Sequence, residues 1–159
     1  MGYQPDRIDL RILEELQANC RLTMVELAKR VNLTKTPCSE RVKHLEKAGI
    51  IRGYHAKLDL VAMESDHITF VQVLLTSTAD ADLALFNSQI AKIPEVFGCH
   101  MVAGNFDYLL KVHTKDIYHF RSVLGNKISN LPGVQQTHSF VVMENVKDTS
   151  DVPIAKSDA

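Results

Sequence analysis

The chain has 159 residues, a formal net charge of −1, 45% hydrophobic and 23% charged side chains, the balance of a soluble globular protein with a packed core. No apolar run approaches the roughly 20 residues that span a bilayer, and the start "MGYQPDRIDLRIL" lacks the apolar stretch of a secretory signal, so a cytoplasmic protein with no membrane partner is expected. Cys20, Cys38 and Cys99 are odd in number and form no C-x-x-C pair, which argues against a disulfide framework or a thiolate zinc site.

Charge is uneven along the chain. Met1 to Lys57 holds eleven Lys/Arg against seven Asp/Glu, a net of +4, and Leu58 to Ala159 holds seven against twelve, a net of −5. A basic front joined to an acidic back points to a nucleic-acid-binding part carrying something else.

In chain order, Asp6 caps a first helix with Asp9 reaching back, and Ile8, Ile12, Leu13 and Leu16 share one face. Thr23-x-x-Glu26 is a capping box for a second helix with Leu27, Ala28 and Val31 inward. Asn32 suits the left-handed position that ends it. Thr34 is the next N-cap, Pro37 fits the first turn of a third helix, and Gly49 stops that helix after Ala48. Two helices joined by so few residues cross steeply, as in a helix-turn-helix.

At about 100° per residue, the third helix points Cys38, Val42 and Leu45 inward. Thr36, Glu40, Lys43 and Lys47 point outward, flanked by Ser39 and His44, with Arg41 at the boundary. Small polar groups near the start and cations further along are what a recognition helix needs, for bases and for phosphates. Lys35, Arg41, Lys43 and Lys47 are the phosphate candidates, and Thr36, Ser39, Glu40, Lys43 and His44 the base-edge candidates. Thr34 and the amides at the helix start offer a further phosphate site. The same amphipathic pattern also describes an ordinary solvated helix.

The stretch "IIRGYHAKLDL" alternates enough for a short strand or hairpin edge carrying Arg52 and Lys57. A polar, irregular linker follows over 61–66. Two strand-helix-strand units come next, and a shift of 38 residues lays Phe86 on Leu124, Ile90 on Ile128, Pro94 on Pro132 and His100 on His138. Asp80 and Asp116 cap the two helices. Tandem units of this kind describe a ferredoxin-like βαββαβ sandwich over 67–145, with a tail over 146–159. The expected fold is therefore α+β, a winged-helix-like helix-turn-helix domain over 1–60 followed by that sandwich. Helices cover one face of its sheet. The other face, where Gln135, Thr137 and Ser139 of the last strand are expected, needs a cover, and a second copy of the chain is the expected one.

The run Thr23-x-x-Glu26-Leu27-Ala28-x-x-Val31-Asn32-Leu33-Thr34, then Arg41-Val42-x-x-Leu45 and "GIIRGYHAKLD", resembles the DNA-binding signature of the Lrp/AsnC regulators. "AGNFDYLLKV" is similar to the G-x-x-D-Y loop of their C-terminal domain, and "ENVKDTS" to their tail. The resemblance covers nearly the whole chain. It implies a transcriptional regulator of amino-acid metabolism that binds double-stranded DNA, forms homodimers assembling as far as octamers, and is tuned by a small amino acid rather than by a cofactor. "KTPC" and "HMVAGNFDYLLK" resemble the branch controlling proline or branched-chain amino-acid catabolism.

For the effector, Gly104, Asn105, Phe106, Asp107 and Tyr108 join the second strand to the third. A glycine permits close backbone approach, Asp107 offers a carboxylate to an α-ammonium group, and backbone N–H groups suit an α-carboxylate. Thr137 and Ser139 add hydroxyls. The alternative is a metal-responsive repressor using His67, His100, His113, His119 and His138, although no H-x-H or H-x3-H spacing occurs. No nucleophile elbow, P-loop, HExxH or dinucleotide fingerprint is present, so an enzyme is not expected.

Overall fold

The computed structural model describes residues 3–149 and 151–154, and the chain divides into two compact units. The first comprises the chain up to Lys57 together with the segment from Asp148 onward, and the second runs from Leu58 to Lys147.

The first unit is built on α1 (Arg7–Ala18), α2 (Met24–Arg30) and α3 (Lys35–Lys47). Both capping boxes read from the sequence form: Asp6 with Asp9, and Thr23 with Glu26. Each satisfies amides that a helix start leaves open. Asn32 takes φ 56° after α2, and Leu33 N–H bonds back to the Ala28 carbonyl at 2.8 Å. Gly49 takes φ 71°, which lets the Ile50 and Gly49 amides close on the Leu45 and Glu46 carbonyls and end α3 sharply. Ile12, Leu27, Ala28, Val31, Cys38, Val42 and Leu45 form the core between the three helices.

The stretch after Gly49 departs from the sequence reading. Residues 52–59 form no strand, and none occurs among the described residues of this unit. Alternation alone does not make a strand, because a ladder needs a partner edge. A return segment closes the unit instead. Gln17 Nε2 donates to the Val152 carbonyl at 3.0 Å, and Gln17 Oε1 accepts the Val152 N–H at 2.8 Å.

The second unit begins with a turn within the stretch 61–66 expected as a polar, irregular linker. Asp59 accepts the Val61 and Ala62 amides, and Ser65 N–H reaches the Leu60 carbonyl at 2.8 Å, so 60–64 is a closed turn. Strand β1 (His67–Leu75), α4 (Asp80–Ile90), β2 (Val96–Met101), β3 (Tyr108–Thr114), α5 (Ile117–Val123) and β4 (Val134–Val141) follow. The sheet order is β2-β3-β1-β4, with every neighbouring pair antiparallel. Val71, Val73, Tyr108, Leu110 and Val112 pack from the sheet against Phe86, Ile90, Phe120, Val123 and Ile128 from the helical layer.

The two halves differ in their helices. Asp116 caps α5 through the His119 amide, as expected. Asp80 is instead the first residue of α4, whose N-cap is Ala79. Ser77 supports that turn by accepting the Ala79 amide and donating to Asp82. Leu124–Ile128 widens into a π turn, closed by Ser129 N–H on the Leu124 carbonyl at 2.8 Å. The extra residue of that turn brings Ile128 to full burial.

Phe86 is fully buried, its ring centroid 4.5 Å from that of Tyr108. Phe86→Ala is expected to lower the stability of this unit by about 3–5 kcal/mol, read in urea denaturation by circular dichroism. Tyr118→Ala, where the ring is 80% exposed, should stay within about 0.5 kcal/mol.

Candidate functional site

Helix α3 buries Cys38, Val42 and Leu45 and exposes Lys35, Thr36, Glu40, Lys43, His44 and Lys47, with Ser39 half-buried. The outward face is therefore the one expected from the spacing. Lys35, Lys43 and Lys47 make no ion pair to a described residue, which leaves three cations available to phosphates. Thr34 is the N-cap but makes no side-chain capping bond. The Lys35 and Thr36 amides are thus not capped by it, unlike the starts of α1 and α2.

Arg41 is paired within its own unit. Its Nη1 donates to Asp6 Oδ2 at 2.7 Å and to Asp9 Oδ1 at 2.8 Å. Asp9 is fully buried, and its other oxygen accepts both the Tyr3 hydroxyl and the Asp6 amide. Hydrogen bonds to Asp6 and then Asp9 push the guanidinium further from deprotonation. The Asp6 carboxyl is held below its ordinary value, first by the Asp9 amide and also by Arg41, against its partial desolvation. A guanidinium held by two carboxylates anchors α3 to the start of α1.

The spacing of Tyr3 and Asp9 does not show them as partners of α3. The Tyr3 ring lies 4.2 Å from the His44 ring at a 39° tilt, so His44 is flanked by the N-terminal arm. A signal for Asp9 did exist. It sits on the inward stripe of α1 beside Ile8 and Ile12, where an acid needs a partner.

The second group of expected site residues does not stay together. Asp107 N–H donates to the Val73 carbonyl at 2.9 Å, its carbonyl accepts Val102 N–H at 3.0 Å, and its Oδ2 accepts Leu75 N–H at 2.7 Å. That carboxylate stitches the loop between β2 and β3 to β1. Tyr108 is buried in the core, and desolvation pushes its phenol up. Gly104 is open, with nothing within 4 Å of where a Cβ would stand.

Asn105 and Phe106 line a hollow of about 230 Å³ with Gln72, Leu74, Gln136, His138 and Phe140. Directly paired residues share a face, and Thr137 and Ser139 pair with Val73 and Val71 of the core. They therefore lie on the helix-bearing side. The sequence reading placed Gln135, Thr137 and Ser139 on the uncovered face, which in fact carries Gln136, His138 and Phe140. A register shift at Leu74/Leu75 leaves Gln135 outside the pairing.

The histidines are also dispersed. His67 bonds Thr114 Oγ1 at 2.9 Å, His113 stacks beneath Phe97, and His119 Nε2 lies 3.8 Å from Glu95. Among the described residues, no three His, Cys, Asp or Glu side chains converge as a metal site would require.

Comparison with known proteins gives two matches laid end to end. Residues 5–52 match a winged helix-turn-helix DNA-binding family, and residues 68–152 match the Lrp/AsnC ligand binding domain. The chain is 50% identical to a proline dehydrogenase transcriptional activator of Rhizobium radiobacter, over 91% of this chain and 92% of that one. It is 44% identical to the leucine-responsive regulatory protein of Klebsiella pneumoniae, over 96% and 93%. A transcriptional regulator of Neisseria meningitidis, solved as a complex with L-methionine, superposes with a TM-score of 0.88 at 35% identity, covering 94% of this chain and 97% of that one.

Two of the cations of α3 should separate in experiment. Lys43→Ala is expected to weaken binding to operator DNA and to lower the salt slope by about one unit, with the melting temperature unchanged. Arg41→Ala strands a buried carboxylate and is expected to destabilise the first unit by about 3 kcal/mol, the low end for a broken buried pair because the Arg41 side chain is 31% exposed. Thermal melts alongside salt-titrated mobility shifts read both.

Proposed function

Because the chain belongs to the Lrp/AsnC family of transcriptional regulators, we propose that its α3 face reads operator DNA and that a small amino acid tunes this by changing how copies assemble. The family is one of regulators and not of enzymes. The observation that carries the reading is the division of labour along the chain. An exposed face with three available lysines lies in one unit, and a ligand-binding-domain match covers the other.

The effector is an amino acid, with proline as the first candidate. Support for that choice is the 50% identity to a regulator named for proline dehydrogenase, against 44% to one named for leucine response. A metal effector has less behind it, since the described histidines stand apart and the Neisseria regulator holds L-methionine. Asn105 and Phe106 are the residues of the loop best placed to meet a ligand. Thr137 and Ser139, on the opposite face, belong to a different surface.

Copies meet through the face of the sheet that carries no helix, giving a dimer that assembles further towards an octamer. A twofold dimer presents two α3 helices to half-sites about one helical turn apart, or a multiple of it. The regulator works in the cytoplasm, where its DNA lies. No helix of the described residues is long and apolar enough to cross a membrane.

An effector that binds all assemblies equally shifts nothing. The expected ligand therefore binds one assembly better, with micromolar to millimolar affinity, or about −8 to −4 kcal/mol. By linkage, operator DNA changes the amino-acid affinity by the same factor.

Footprinting with proline, leucine and methionine, paired with light scattering, tests this. One of the three is expected to alter the footprint or the oligomer size, and Asn105→Ala or Phe106→Ala to blunt that response while basal binding stays. Asp107→Ala is a poorer probe, because it also removes the acceptor for the Leu75 amide. A footprint and size insensitive to every common amino acid would overturn the effector reading.

A further inference from the structure

The helix-free face of the sheet has an unusual charge pattern. None of the four strands contains an Asp or a Glu. Cross-strand pairing sets His100, Leu109, Gln72 and His138 side by side in one row across all four strands. The 38-residue repeat superposes those two histidines, so both halves of the sandwich contribute the same residue to the same face. Phe70, Leu109 and Phe140 supply apolar surface around them.

We propose that this face pairs with the same face of a second copy, and that the His100–His138 row releases the pairing at acid pH. The proposal rests on the assembly reading above and adds its control. A twofold interface must be complementary to itself. Glutamine amides and neutral imidazoles both donate and accept hydrogen bonds, so each can face its own copy. An imidazolium only donates, and here it would meet an identical cation across strands that carry no carboxylate.

The groups facing the row are few. On β3 they are Lys111 and His113, the latter buried beneath Phe97. β1 contributes Gln72, and the neighbouring loop contributes Asn105 and Phe106. His67 belongs to the other face, paired with Thr114. Three carboxylates directly precede strands: Asp107 holds the Leu75 amide, Glu95 holds Lys127 at 2.5 Å, and Asp66 lies before the start of β1, six residues along the chain from Gln72.

The sign follows from burial. Covering an imidazole with strands that carry no carboxylate favours its neutral form, so the assembled state binds fewer protons than the separated copies. Assembly is then full above the ordinary histidine pKa of about 6.5 and is lost as pH falls through it.

Sedimentation of the full chain between pH 8 and 5.5 is the test. The dissociation constant is expected to rise by up to about two decades per pH unit below 6.5 for His138 alone, since each dimer carries two copies, and more if His100 joins it. His138→Gln with His100→Gln should flatten the slope and keep the chain assembled in acid. His67→Gln should leave the slope as it is. A pH-independent constant in an assembled wild type overturns the histidine control, as does a wild-type slope in the double variant. A chain that is monomeric at pH 8, or one in which Leu109→Lys leaves assembly untouched, overturns instead the second-copy reading on which the control rests.

Discussion

A carboxylate with no exposure to solvent governs the first unit. Asp9 accepts from the Tyr3 hydroxyl, the Asp6 amide and the Arg41 guanidinium, and a buried charge is tolerable only when so supplied. Those donors come from the N-terminal arm, the start of α1 and the middle of α3. Once they are satisfied together, the rotation of α3 about its axis is fixed. Cys38, Val42 and Leu45 then face the core, and Thr36, Glu40 and Lys43 face out. The arrangement also divides the cations by task. Arg41 holds the helix, and Lys35, Lys43 and Lys47 make no ion pair to a described residue.

The second unit solves a different problem. Two strand-helix-strand halves pack both helices on one side, which closes a core around Phe86, Tyr108 and Ile128 and leaves the other side of the sheet bare. Asp107 secures the junction of the halves by tying the β2–β3 loop to β1 through two hydrogen bonds, while a third closes the loop on the Val102 amide. A rigid loop root with Asn105 and Phe106 at its tip can present the same surface to a ligand or to another copy. Regulation through assembly requires an element with discrete alternatives, and the proposed pairing of the uncovered sheet face with a second copy would provide one.

Much of this was legible in the residues. Capping boxes, the left-handed Asn32 and Gly49, and Pro37 in the first turn of α3 act within a few residues, and each took the role its chemistry implied. The 38-residue repeat disclosed the βαββαβ order although along the helices only Ile90 and Ile128 are buried alike; α5 buries Phe120 and Val123 where α4 exposes Asp82 and Leu85. What stayed hidden depended on partners distant in sequence. The pairing of Arg41 with Asp6 and Asp9 is one such case, because nothing near Arg41 in sequence shows that they will meet it. The facing of β4 was unreadable from "VQQTHSFVV", where apolar residues cluster at the end instead of alternating. The register against β1 decides it, and that register contains a shift. The strand expected after Gly49 had suitable residues but no partner edge among the described residues of its unit.

The central claim is that the outward face of α3, held by Asp9 and Arg41, is the surface that meets DNA. Site-directed cleavage tests it most directly. An iron chelate attached at Glu40→Cys, with the exposed Cys20 and Cys99 changed to serine, should cut both strands within each half-site in a pattern centred on the major groove. The same reagent at Tyr118→Cys, in the other unit, should not reproduce that pattern. Absence of half-site cleavage from position 40, or equal cleavage from position 118, would contradict the account.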